Sequence, residues 1–146
     1  MEFIFKMTST KQKGTNTMIE VYIDGSTKGS TGPSGAGIHM KYNGTHDSYS
    51  IPLGEMDNHE AEFQALLHAL KICKEKNFDV ISVRTDSQAV LTAVEKQYVK
   101  NNAYKDLLSE ILKISSSFTL FFIKWIPSSQ NNVADRLARE AISQNE

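Results

Sequence analysis

The sequence predicts an α/β fold: a mixed five-stranded sheet, its first three strands antiparallel and its later strands parallel to the first, flanked by helices. Two observations predict it. Apolar residues alternate with period two early in the chain and fall mainly at helical spacing afterwards, and the strands beyond that switch are separated by helical stretches. Strands joined by short turns run antiparallel, whereas a strand reached through a helix returns parallel to its neighbour. Length agrees, since 146 residues, 40% of them hydrophobic and 23% charged, suit a single domain that buries a core without staples.

The elements follow in order. Residues 8–17 contain nothing apolar, so 1–17 is expected as a flexible polar leader before a single domain over 18–146. Ile19, Val21 and Ile23 alternate with Glu20, Tyr22 and Asp24 as a first strand, followed by a turn-rich stretch from Gly25 to Gly35. Gly35 to Tyr42 reads as the second strand and Thr45 to Ile51 as the third, with Asn43-Gly44 between them as a hairpin signal. Beyond Pro52 the spacing of Phe63, Leu66, Leu67, Leu70 and Cys73 predicts a helix over about Asn58 to Lys76. Val80, Ile81 and Val83 make a strand ending at Thr85-Asp86, and Ser87 to Lys96 a short helix. Leu107, Leu108, Ile111 and Leu112 define a helix from Ala103 to Ser115. Phe118 to Ile126 is a strand stopped by Pro127, and Val133, Leu137, Ala138, Ala141 and Ile142 share one face of a last helix.

Composition excludes several classes. Cys73 is the only cysteine, which rules out an intramolecular disulfide and a cysteine-based metal site and suits a reducing, cytoplasmic setting. No apolar run approaches the ~18–20 residues of a membrane span. Met1 to Lys6 lacks the basic start and the cleavage site of a signal peptide. The protein is expected to be a monomer. His39, His46 and His68 fall on separate elements without metal-ligand spacing, Trp125 reads as core, and Lys71, Lys74 and Lys76 gather at a helix end.

Four acids stand where chemistry needs them. Asp24 ends the first strand and Asp86 the fourth. If these strands are parallel neighbours, both acids reach the rim where open α/β sheets bind ligands. Glu62 lies early in the long helix and Asp135 in the first turn of the last, with Asn131 and Asn132 as candidate caps. Singly, each has an ordinary explanation, as a turn former or as an acid at a helix N-terminus. Together they would repel one another unless cations neutralise them, and hard oxygen ligands suit Mg²⁺ or Mn²⁺. Two such ions about 4 Å apart are a device for hydrolysing a phosphodiester.

The chain resembles the type 1 ribonuclease H family, and four segments in order carry the likeness. They are Asp24-Gly25-Ser26 followed by Gly29 and Gly32 to Gly37, then Asn58-His59-Glu60-Ala61-Glu62, then Thr85-Asp86-Ser87-Gln88, and last Ala134-Asp135-Arg136-Leu137-Ala138. The resemblance spans about Ile19 to Ser143 and implies the ribonuclease H-like fold. The activity it implies is endonucleolytic cleavage of the RNA strand of an RNA–DNA hybrid with two Mg²⁺ or Mn²⁺ ions. It assigns Asp24 to both ions, Glu62 and Asp86 to the ion that positions water, and Asp135 to the ion beside the leaving 3′ oxygen. It also implies substrate contacts at Gly25, Ser26, Asn58 and Gln88, with backbone N–H groups on 2′-hydroxyls and amides in the minor groove.

Departures from the family pattern are specific. The stretch Pro127 to Asn132 has no histidine where many bacterial members carry one. His59 replaces a second asparagine, and Asp57 stands where a threonine commonly meets a phosphate, so its carboxylate is expected to repel the DNA strand. Gln97 to Lys105 is too short for the basic handle, as in the archaeal and reverse-transcriptase-associated branches. Two alternatives stay open: a hybrid-binding module with little catalysis, and another two-metal nuclease acting on DNA.

Overall fold

The computed structural model describes residues 2–6 and 17–145. Six strands form one sheet in the order β1-β6-β5-β2-β3-β4, with β1 at Glu2–Lys6, β2 at Met18–Thr27, β3 at Thr31–Tyr42, β4 at Thr45–Asp57, β5 at Val80–Thr85 and β6 at Leu120–Trp125. The helices are α1 (Asn58–Glu75), α2 (Gln88–Lys96), α3 (Lys105–Ser115) and α4 (Asn132–Asn145). The five expected strands are present with the expected senses: β2, β3 and β4 are antiparallel, while β5 is parallel to β2 and β6 to β5.

Several boundaries differ from expectation: β2 runs on to Thr27 and β3 begins at Thr31, so most of the stretch expected as a turn is paired strand, and three further differences stand out. Glu2–Lys6, expected within the leader, pairs antiparallel with β6 and gives the sheet a sixth strand. Phe3-Ile4-Phe5 is a run of strand formers, and it meets the backbone edge that β6 would otherwise leave unpaired. Residues 7–16, the rest of that leader, lie outside the described residues. The third expected strand does not stop at Pro52 but runs to Asp57, directly into α1. β4 is an edge strand, where a proline's missing N–H is tolerated, and a register shift at Ser34/Gly35 accommodates it. Third, Asn102–Tyr104 is a single 3-10 turn ahead of α3 rather than its first turn.

β2 organises the molecule through its alternation. Ile19, Val21 and Ile23 are fully buried on the face that α1 covers, packed with Phe63, Leu66, Leu70, Phe121 and Ile123. Its other face is covered by α4, which lies directly on the backbone of β3. A Cβ at Gly37 would strike the Ala134 carbonyl and the Ala138 nitrogen, so only glycine lets the helix come this close. Asp24 is the ladder partner of Gly37 and shares its face. The next residue, Gly25, meets α1 on the opposite face, where a Cβ would lie 2.5 Å from the Glu62 amide nitrogen. Between Asp24 and Gly25, then, β2 is gripped by the helix that carries Asp135 on one side and the helix that carries Glu62 on the other.

Candidate active site

Asp24 sits inside β2, three residues before its end, and not at the strand terminus expected from the sequence. The antiparallel ladder to β3 continues to Thr27↔Ser34, but the parallel ladder to β5 ends at Ile23↔Thr85. Asp24 and Asp86 each follow that last pair, so both lie at the rim where the parallel ladder ends, Asp24 still paired with Gly37 of β3. Glu62, the fifth residue of α1, arrives from the side. Carboxylate oxygens of Asp24, Glu62 and Asp86 all lie within 4.8 Å of one another, and each residue is half-buried.

Burial and mutual repulsion show in the proton affinities. Burial pushes the Asp24 carboxyl far above the usual carboxylate range, and the charges of Asp86, Asp135 and Glu62 add to it. Glu62 is raised by burial as well, opposed by a hydrogen bond from the Ser87 hydroxyl at 3.1 Å and by the neighbouring His59. Asp86 is raised by burial, an effect that the nearby Asn131 amide opposes. Its backbone carbonyl also accepts from the Trp125 indole at 3.2 Å, which gives that expected core residue a part in the site.

Asp135 differs from the other three. It occupies the first turn of α4 and its charge adds to the rise of Asp24, yet it is absent from the three-residue cluster. Its carboxylate pairs with Arg139 one turn along the helix, and that contact holds its pKa below the usual value. The structure therefore brings three of the four acids together and places the fourth beside them, turned toward a guanidinium.

The expected substrate residues divide by exposure. Asn58 and Gln88 are exposed and open α1 and α2, the helices next to the acids. Ser26 is half-buried, while Gly25 is buried against α1. Asp57 caps α1 by accepting from the Glu60 amide at 2.8 Å, and the Tyr104 hydroxyl donates to its carboxylate, 2.9 and 3.0 Å from the two oxygens. That carboxylate is occupied within the protein. Lys71, Lys74 and Lys76 likewise have internal partners in Glu110, the Phe118 ring and Asp47.

Sequence reasoning missed two side chains. Ser87 caps α2 by accepting from the Val90 amide at 3.1 Å while its hydroxyl holds Glu62, and its place directly after Asp86 was the available signal. Asn131 reached the sequence reading only as a candidate cap, although it is buried among the acids. His39 and His46, expected to be scattered, meet across the β3–β4 hairpin with ring nitrogens 3.2 Å apart, because the register places them near each other.

Comparison with known proteins follows the same outline. Residues 22–141 match the family described as "Reverse transcriptase-like". The putative hydrolase EbsB of Enterococcus faecalis is 41% identical over 127 residues, which cover 86% of this chain and 94% of the relative. The ribonuclease H of Thermoanaerobacter sp. is 30% identical over 144 residues, covering 88% and 92%. The structure of LC11-RNase H1 in complex with an RNA/DNA hybrid superimposes with a TM-score of 0.78 at 29% identity, over 86% of this chain and 97% of that one.

Proposed function

The chain belongs to the reverse transcriptase-like family and has the type 1 ribonuclease H fold, and from that premise we propose that it is an endonuclease cutting the RNA strand of RNA–DNA hybrids with Mg²⁺ or Mn²⁺. The observation that carries the reading is the cluster of Asp24, Glu62 and Asp86 at the rim, with Asp135 beside it. These residues fit a hard divalent cation. All donors are carboxylate oxygens, and burial with the charges of Asp86, Asp135 and Glu62 raises the Asp24 carboxyl, a charge burden that a cation would relieve. Bound there, two such ions activate water against a phosphodiester and stabilise the leaving 3′ oxygen.

The chain's own residues do the rest. Asp24 would help hold both ions, Glu62 and Asp86 would hold the one that supplies the attacking water, and Asp135 would hold the one that stabilises the leaving oxygen. Ser87 holds the Glu62 carboxylate toward the cluster. Arg139 engages one oxygen of the Asp135 carboxylate, so the other would be the one offered to an ion. Asn58 and Gln88, exposed at two helix starts, meet the minor groove of the hybrid, and Gly25 and Ser26 supply close backbone approach. A cytoplasmic monomer with a single domain, its sheet extended by β1, belongs to the same reading. One continuous core and a single buried cysteine support it. Among the described residues no helix is long and apolar enough to cross a membrane.

The test incubates a labelled RNA–DNA hybrid, duplex RNA and duplex DNA with each metal. Cutting confined to the RNA of the hybrid, dependent on metal and abolished by Asp24→Asn, is the expected result. Binding of hybrid without cutting in either metal would overturn the enzymatic reading, and cleavage of duplex DNA would overturn the substrate.

A further inference from the structure

His39 is the ladder partner of Tyr22 in β2 and of Ser48 in β4, and it is only 8% exposed. His46, the ladder partner of Lys41, lies diagonally across the same hairpin and is exposed. The two rings meet, with His39 Nε2 and His46 Nδ1 3.2 Å apart and the centroids 5.3 Å apart. The other nitrogen of His39, Nδ1, lies 3.1 Å from the Ser48 hydroxyl. That contact fixes the buried ring and leaves Nε2 as the atom turned toward His46.

This is the geometry of two ligands awaiting a transition metal. Two nitrogens bound to one tetrahedral Zn²⁺ lie about 3.3 Å apart, close to the spacing already present. A metal-ligating histidine gives its second nitrogen to a polar neighbour, as His39 does to Ser48. Both histidines stand on paired strands of one hairpin, so the backbone has little left to order. Burial and the charges of His46, Lys41 and Arg136 lower the proton affinity of His39, which keeps its ring neutral with a lone pair to give. The same cationic surroundings oppose an ion held by charge alone. Mg²⁺ and Mn²⁺ therefore suit the carboxylates at the rim, whereas a pair of neutral nitrogens suits a borderline ion. Lys41, although opposite His46, carries its ammonium over the Tyr22 ring, 5.0 Å from the centroid.

We propose that His39 Nε2 and His46 Nδ1 form a second metal site, separate from the acids, which takes one Zn²⁺ or a similar first-row ion with water in its remaining positions. His39 keeps its proton on Nδ1, facing Ser48. The proton between the two rings moves to Nε2 of the exposed His46, so both imidazoles bind as neutral ligands. The site stands independently of how the acids are read.

The test titrates Zn²⁺ calorimetrically into the full chain with Mg²⁺ in excess and follows the imidazole nitrogens by ¹⁵N NMR. The parent is expected to bind Zn²⁺ with shifts at His39 Nε2 and His46 Nδ1. Loss of a direct ligand should cost at least the roughly tenfold that loss of an outer partner costs, so His46→Ala should bind at least that much more weakly. His46→Gln carries the test if the alanine variant does not fold, which thermal unfolding in EDTA reads. Asp24→Asn should retain the binding, because its carboxylate belongs to the other site. A parent that binds no Zn²⁺, a smaller loss in the His46 variant, or loss of binding in Asp24→Asn would each overturn the proposal.

Discussion

Asp24 bears the largest electrostatic burden among the clustered acids, and its consequence for stability has a definite sign. Its folded pKa lies above that of an unfolded aspartate, about 3.9. In the window between the two values the folded chain holds a proton that the unfolded chain has lost, so stability in chelator falls as pH rises through it. Glu62 and Asp86, also raised, contribute the same sign. His39 and His68, lowered by burial, contribute the opposite one, and a comparison of parent with variant cancels them. Asp24→Asn cannot ionise, so in EDTA it should lose this slope and exceed the parent by about 1–3 kcal/mol near neutral pH. Urea unfolding of both proteins across the range reads the difference. A variant less stable than the parent at neutral pH would contradict the repulsion deduced for the cluster. Mg²⁺ should stabilise the parent and not the variant.

The elements determine how closely these residues can approach. α4 lies on the β3 backbone at Gly37, with Gly35 one ladder step along and just as close to Ala138 and Ala141. The small residues on both surfaces, Ala134, Ala138 and Ala141 on the helix and the two glycines on the strand, form a seam without room for a methyl group. Gly37→Ala should therefore lift the first turns of α4, costing about 2–4 kcal/mol or preventing folding. If the protein folds, Asp135 moves away from Asp24, and metal affinity should fall beyond what the stability change predicts. Equal stability of variant and parent in thermal unfolding would show that the seam can relax. Gly25 does the same for α1, bringing the Glu62 turn against β2. The glycines on either side of Asp24 in the fold are thus spacing elements for the carboxylates, each set by a helix backbone and not by a turn.

At the scale of the whole molecule the formal charge of −1 conceals an unequal distribution. Without Asp24, Glu62, Asp86 and Asp135 the remainder of the chain carries +3. An acidic site in a mildly basic body can accept a nucleic acid once cations fill it, but few cationic contacts support the grip. Several lysines and arginines are also committed internally, Arg84 to Glu20 and Lys71 to Glu110 among them. Hybrid affinity should consequently be modest and fall with salt, along a log–log slope corresponding to about two to four phosphate contacts. Affinities measured at several salt concentrations supply that slope, and a flat dependence would point to recognition by neutral hydrogen bonds alone.

The sequence by itself determined the class of fold, the senses of five strands and the four acids, because each is a local signal. Period-two and 3.6-residue spacing mark elements, a helix between strands sets their relative direction, and each acid lies in a recognisable segment. The resemblance of the motif beginning at Asn58 pointed to Glu62 rather than Glu60, and Glu62 is the glutamate that lies with Asp24 and Asp86. Only the tertiary structure decided how the acids relate to one another. The meeting of Asp24, Glu62 and Asp86 and the burial of Asn131 depend on distances between segments remote in sequence. The same holds for the extension of β4 through Pro52 and the pairing of Glu2–Lys6 with β6. A proline or a short apolar run carries no mark of whether its strand lies at an edge. Local spacing fixes which face a residue takes, whereas separations across a sheet follow from packing, and that packing rests on the glycines that let two helices touch it.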